Sequence, residues 1–210
     1  MRRAADDPYC YPGTEVLRNL EDIQDAAELA VFEAGIVALN ISQLLAEPLK
    51  GPFDLNRLQL THRRIFEGVY PWAGQLRQNT GMMKKQRTID RAVVYADSAF
   101  IQPAIEKLFQ SLKSENFLHG LSSQQFSARA AYYYGEIDAI HPFREGNSRT
   151  LRQFFGDLGR AAGYEIDWSA ISQTENGREL LYAARDLAVM RGDSSLLTQI
   201  IQGNLRRLAP

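Results

Sequence analysis

Apolar residues recur at helical spacing along most of this chain, and a single stretch breaks the rhythm. Over residues 22–45 the positions Ala26, Leu29, Ala30, Phe32, Val37, Ile41, Leu44 and Leu45 follow the period of an α-helix. Pro48 and Gly51-Pro52 stop that helix. Asp54 is suited to cap a second one, with Leu55, Leu58, Ile65, Phe66 and Val69 along one face. The spacing returns at Ile101, Ile105, Leu108, Phe109 and Leu112, and again at Phe126, Ala130, Tyr133, Tyr134 and Ile137. Leu151, Phe154, Phe155 and Leu158 mark another helix, with Gly163 suited to the position just past its end. Two more helices fit residues 175–191 and 194–208.

Between Arg77 and Asp97 the helical period is lost. The stretch is polar and basic (Lys84, Lys85, Arg87, Arg91) and holds one β-branched run, Val93-Val94-Tyr95, which reads as a short exposed hairpin. The expected fold is all-α, a compact helical bundle interrupted by one β-hairpin flap at about residues 77–97. The chain has 210 residues, enough for one well-buried domain, and no repeat or Gly/Ser linker divides it. Residues 1–20 carry turn chemistry (Asp7-Pro8, Tyr11-Pro12-Gly13) and read as an N-terminal extension on the surface. Residues 21–210 then form the single domain, its core at about 55–163.

Bulk composition excludes several classes. Apolar residues make up 45% and charged ones 23%, which argues against disorder. A net charge of −1 gives no bulk attraction to nucleic acid or anionic lipid. Cys10 is the lone cysteine, so no intrachain disulfide is possible. No apolar stretch approaches membrane-spanning length, and the start MRRAADDPYC is unlike a secretory signal. A cytoplasmic protein is the expectation, with delivery to another cell the alternative.

Residues 141–152, HPFREGNSRTLR, hold the one dense cluster of reactive side chains. Pro142 disfavours helix at His141, which places an imidazole at a helix end. With an ordinary pKa near ~6.5 it suits proton abstraction at neutral pH. Phe143 is apolar in a polar loop and anchors it. Gly146 and Asn147 tolerate positive φ, so backbone amides can form an anion nest. A helix starts immediately afterwards, and its free N–H groups favour phosphate. Glu145 supplies a hard oxygen for Mg²⁺. Arg149 and Arg152, three apart, share a helical face and suit phosphate oxygens. Together these are the tools of phosphoryl or nucleotidyl transfer.

The segment resembles the signature of the Fic family, H-P-F-x-[D/E]-G-N-[G/K]-R-x-x-R. It departs at Ser148, where adenylylating members carry Gly and a phosphotransferase branch carries Lys. Asp7-Pro8-Tyr9, His62 with Ile65-Phe66, and Tyr70-Pro71-Trp72-Ala73-Gly74 followed by Arg77 look like the family's N-terminal half. The resemblance implies a Fic-type bundle and an adenylyltransferase acting on Tyr, Thr or Ser hydroxyls of a target protein. By the same resemblance, His141 would deprotonate the hydroxyl and Glu145 would hold Mg²⁺. The amides from Gly146 to Ser148 and the Asn147 side chain would cradle the α/β-phosphates, Arg149 the β- and Arg152 the γ-phosphate. The flap, with Val93, Val94 and Tyr95, would pair with an extended segment of the target. Ser148 would set a Cβ close to the phosphates.

Other residues have plainer readings. His62 sits on a helix flank with no visible partner and reads as structural, and His119 reads as surface. Trp72, Phe154 and Phe155 read as core. The basic run from Lys84 to Arg91 fits a solvated hairpin as well as a docking surface. Tyr132, Tyr133 and Tyr134 lie on a helix and face different ways, at least one outward. Many Fic proteins are restrained by a helix bearing [S/T]-x-x-x-E-[G/N]. The match here, Ser111 to Asn116 (SLKSEN), falls between flap and catalytic loop and reads as chance. The resemblance therefore implies a separate antitoxin chain docking on the region before Leu58. Two alternatives stand beside AMP transfer: another donor such as UTP, GTP or a CDP-linked group, or a non-catalytic binding module spoiled by Ser148.

Overall fold

The computed structural model describes residues 7–88, 91–172 and 174–209. Helix α1 (Ala26–Ala46) begins where the Asp25 carboxylate accepts from the N–H groups of Ala27 and Glu28. The apolar pattern suggested a start at residue 22; the cap decides the first turn. Helix α2 (Leu55–Phe66) is capped by Asp54, as expected, through the Arg57 N–H. Strands β1 (Met82–Thr88) and β2 (Arg91–Asp97) form the antiparallel hairpin. Then follow α3 (Ile101–Ser114), α4 (Ser123–Ile140) and α5 (Asn147–Ala161). A capping box of Ser122 and Gln125 opens α4, and Gly163, at φ 87°, follows the end of α5. The chain closes with β3 (Tyr164–Ile166), α6 (Trp168–Ser172), α7 (Glu175–Arg191), α8 (Ser195–Gly203) and β4 (Leu205–Arg207).

The C-terminal end differs from expectation. The last helix stops at Gly203, and Leu205–Arg207 pairs antiparallel with Tyr164–Ile166 as a second small sheet. Strands of three residues show no period, and the partner lies far away in sequence.

The core sits between α4 and α5. Phe126, Ala130, Tyr133, Tyr134 and Ile137 of α4 meet Leu151, Phe154, Phe155 and Leu158 of α5, all at most 1% exposed. Truncating Phe154 to alanine there would cost about 3–5 kcal/mol. A second cluster, with Val37, Leu44, Ile65, Phe66, Val69, Tyr70 and Trp72, lies between α1 and α2. Because α5 packs on both α2 and α4, the loop that opens α5 lies where the two clusters meet.

Two expectations about the N-terminal part change. Helix α1 buries Leu29, Val37 and Leu44 but leaves Ala26, Ala30 and Leu45 exposed, along with Val31 and Leu39. By length and composition alone this helix is apolar enough to cross a membrane, which the sequence reading had not recognised. Here it packs on α2, and the Asn40 amide donates to the carbonyls of Ile65 (3.1 Å) and Glu67 (2.9 Å). Residues 7–20 are more than a surface wrap. Asp7 binds Arg144 of the loop between α4 and α5 (2.8 Å), Tyr9 meets Trp72 edge-on, Cys10 is buried, and the Leu20 N–H donates to Val69. The extension straps the loop.

Candidate active site

The loop starts where Pro142 ends α4. His141 becomes the helix C-cap in a left-handed conformation (φ 50°, ψ 64°), with its N–H still bonded to Ile137. That conformation is unfavourable for a side-chain-bearing residue by about 1–2 kcal/mol, so the surroundings must hold it. Arg77 does so. Its buried guanidinium donates to the carbonyls of His141 (2.6 Å), Ile140 (3.2 Å), Ala96 (2.5 Å) and Gly81 (2.9 Å), and its own N–H donates to Pro142 (2.8 Å). Burial pulls Arg77 down to about 10, which leaves it charged at neutral pH. One side chain thus ties the loop between α4 and α5 to both ends of the hairpin.

His62 holds the middle of the loop. The Gly74 N–H donates to its Nδ1 (2.8 Å), so Nε2 carries the proton and donates to the Glu145 carbonyl (3.1 Å). Its ring stacks on Phe143 with centroids 3.9 Å apart. The structural role expected of His62 is therefore loop positioning, and Phe143 is the buried anchor it was read to be. Asn147 closes the turn. Its side chain accepts from the Phe143 N–H (3.0 Å) and donates to the Phe143 carbonyl (2.8 Å). The amide expected at the phosphates thus uses its oxygen and an N–H on the loop backbone.

At the head of α5, Gly146 has φ 80° and no side chain caps the first turn. A Cβ on Gly146 would come within 2.1 Å of Phe66, so only glycine fits. By helix geometry the first N–H groups lack intrahelical acceptors and suit an anion. Ser148 lies inside the helix without positive φ, so its Cβ imposes no backbone strain. The Glu145 carboxylate accepts from the Gly146 N–H (2.8 Å) at the same point. Burial pushes that carboxyl up, but Lys85, the Gly146 N–H and Arg149 outweigh it and hold it ionised. A single carboxylate beside an anion site fits Mg²⁺, which takes few protein ligands and shares substrate phosphates. Among the described residues no cluster of three or more metal-ligating side chains exists.

Arg149 sits over Phe66 (4.7 Å), 2.6 Å from Glu33 and 3.5 Å from Glu145. Arg149 and Arg152 together line a cleft of about 830 Å³ that runs to Trp168 and Arg206, with Ile41 and Leu45 of α1 along one side. The spacing of three does bring both arginines to one face.

His141 itself is fully buried, with Tyr95 stacked on its ring (centroids 3.8 Å). Neither ring nitrogen has a hydrogen-bond partner among the described residues. Burial lowers its pKa below 6.5 against the opposite pull of Asp138, so it is neutral at pH 7 and able to accept a proton. The stacking corrects the flap reading. Val93 and Tyr95 point inward, and Val94 alone of the three offers an exposed side chain. Period-2 alternation requires this once β2 packs on α4 and α7. β1 lies outside β2, and Lys85, opposite Val93, brings its charge to bear on Glu145 and His141.

The other plain readings agree with the structure. His119 is exposed, Trp72, Phe154 and Phe155 are buried, and Tyr132 faces outward beside buried Tyr133 and Tyr134. Glu115 of the SLKSEN match is committed to Arg129 and to the Tyr133 hydroxyl (2.7 Å).

The sequence profile of the Fic/DOC family matches residues 52–157. This chain belongs to the Fic/DOC family. The protein adenylyltransferase VbhT of Bartonella schoenbuchensis is 36% identical over 206 residues, which cover 96% of this chain and 39% of that protein. The Fic protein of Salmonella typhimurium is 34% identical over 186 residues, 88% of each chain. A VirB-translocated Bep effector of Bartonella quintana, solved as its N-terminal Fic domain with bound ADP, superposes with TM-score 0.84 at 32% identity over 95% of both chains. The Fic domain here thus spans well under half the length of VbhT. Sequence reasoning on this Fic chain missed Glu33, Asp138 and Arg185 and gave Arg77 no role. Each is a lone charged residue at helical or loop spacing, and nothing local marks its partner.

Proposed function

We propose that this chain is a protein adenylyltransferase that moves AMP from ATP to a Tyr, Thr or Ser hydroxyl of a target protein. The observation that carries the reading is a buried His141 in the loop that opens α5, whose first turn no side chain caps, with Glu145 at the Gly146 N–H and Arg149 and Arg152 on the helix that follows. The target hydroxyl gives its proton to the His141 imidazole as its oxygen bonds to the α-phosphorus. The bond from that phosphorus to the bridging oxygen breaks, and pyrophosphate leaves. First-turn amides of α5 receive the negative charge that builds on the phosphoryl oxygens. Arg149 and Arg152 hold the β- and γ-phosphates. Glu145 would hold Mg²⁺, which supplies charge neutralisation to the phosphates.

The target strand would pair with the outer edge of β1, the hairpin strand that lies outside β2. A separate antitoxin chain would dock on the N-terminal region. An apolar helix carrying one acid suits the cleft, which Ile41 and Leu45 line together with Arg149 and Arg152. Such a toxin would act in the cytoplasm, of its own cell or of a recipient.

The test incubates the purified chain with α-labelled ATP, Mg²⁺ and bacterial lysate beside His141→Ala. A labelled protein band lost in the variant supports transfer. No band with ATP, UTP or GTP, from protein free of antitoxin, would refute it. Titrating the partner should extinguish labelling, and unchanged labelling would remove the antitoxin.

A further inference from the structure

Three buried charged or titratable groups lie together behind the phosphate site: His141 at the end of α4, Asp138 one turn earlier, and Arg185 on α7. Arg185 grips both carboxylate oxygens of Asp138, Nε to Oδ2 at 2.9 Å and Nη2 to Oδ1 at 2.7 Å. This fork fixes the carboxylate plane. The oxygen Oδ1 also faces Nδ1 of His141, at 3.7 Å. Asp138 and His141 are at most 1% exposed, and Arg185 3%, so water does not screen the three from one another.

A buried ion pair can be nothing more than a tie between α4 and α7. Two observations go against that reading alone. An imidazole with both nitrogens unsatisfied in a dry site is unfavourable, and Oδ1 is the acceptor that faces Nδ1. The tie also ends on the one side chain whose proton affinity the reaction uses.

We infer that Asp138, held by Arg185, is the positioning residue of the base: it accepts the Nδ1 proton of His141, leaves Nε2 to take the target's proton, and stabilises the imidazolium that results. This rests on the reading of His141 as the base. The 3.7 Å separation is that of the free protein, where such contacts run long and tighten on substrate binding. No charge is added to Asp138 in the step. The proton from the target oxygen goes to Nε2, the Nδ1 proton stays between imidazole and carboxylate, and the Nε2 proton passes to solvent after transfer.

The groups around His141 set the sign. From α4 comes Asp138, which favours the imidazolium, and the neutral Tyr134 lies near it. From α7 comes Arg185, which opposes it. From the hairpin come Lys85, which opposes it, and the neutral Tyr95. Arg77 touches the His141 carbonyl. Burial pushes the Asp138 carboxyl up, yet Arg185 and His141 hold it well below the usual carboxylate range. The carboxylate is therefore charged throughout the working pH range, and removing its charge must lower the proton affinity of His141.

Asp138→Asn leaves Arg185 a buried unpaired cation and could unfold the chain. Asp138→Asn with Arg185→Met removes the pair as a neutral unit and is the decisive variant. The expected result is kcat down about 100-fold with the KM for ATP within about twofold, and the acid limb of the kcat profile moved to lower pH. In parallel, the ¹⁵N resonances of His141 should titrate at lower pH in the double variant than in the parent chain, because the pull of the adjacent Asp138 on the imidazolium exceeds the opposing push of the more distant Arg185. This readout needs no activity, so it separates failure of the inference from failure of the base assignment. A folded double variant with unchanged kcat and an unmoved His141 titration would overturn the inference.

Discussion

Arg149 of α5 reaches back to α1, where its Nη1 lies 2.6 Å from Glu33 Oε1, and the other oxygen of Glu33 accepts from the Tyr70 hydroxyl. The first helix of the chain thereby sets the angle of a guanidinium assigned to the β-phosphate. Glu33→Ala frees Arg149 and should lower kcat/KM for ATP about tenfold, the loss of one charge-assisted bond. Glu33→Gln keeps an acceptor and should stay within about threefold of the parent. Steady-state kinetics on both variants decide it; equal losses would show that charge matters and position does not.

Arg77 is the joint between hairpin and catalytic loop. Arg77→Met strips donors from four carbonyls at once, that of His141 fully buried and the others half-buried, and should cost about 3 kcal/mol or more. At this chain length that lowers the melting temperature by about 6–12 °C, measurable by calorimetry. A melting point unchanged within error would mean that water replaces the guanidinium.

His62 is one contributor to the pH dependence of stability, and buried His141 acts with the same sign. Burial lowers His62 to about 4, from 6.5 in the unfolded chain. Between those values the unfolded state binds a proton that the folded state refuses, so stability rises with pH through that window and falls on acidification. The contribution reaches about 3 kcal/mol at pH 4. Urea unfolding at pH 7 and pH 4.5 should show this loss in the parent. His62→Gln should show a shallower loss and a lower starting stability, because the loop loses its bond to the Glu145 carbonyl.

Glycine is required at position 146 and is optional at 148. Gly146→Ala drives a Cβ into Phe66 at φ 80° and should abolish ATP binding in calorimetric titration. Ser148→Gly alters a helical position, so kcat/KM should change by no more than about threefold while stability falls by about 0.5–1 kcal/mol. A large gain of activity in Ser148→Gly would show that the serine hinders the phosphates after all.

The sequence by itself determined most of the helices, the Asp54 cap, the Gly163 stop, a hairpin between Arg77 and Asp97 and the reactive loop; it did not mark the short helix at Trp168–Ser172. The features it determined are written locally, in a period of 3.6 residues, in a single cap, or in twelve consecutive side chains. Tertiary structure alone decided which distant charges meet that loop. Arg77 reaches His141 across 64 positions, His62 reaches Glu145 across 83 and Arg149 reaches Glu33 across 116. It also turned Tyr95 inward onto His141 and the Asn147 amide onto Phe143. Periodicity reports that a face is buried because burial follows hydrophobicity. It carries no record of which polar group waits on the other side, since a buried charge is tolerated only by its partner and the partner is chosen by the packing of helices.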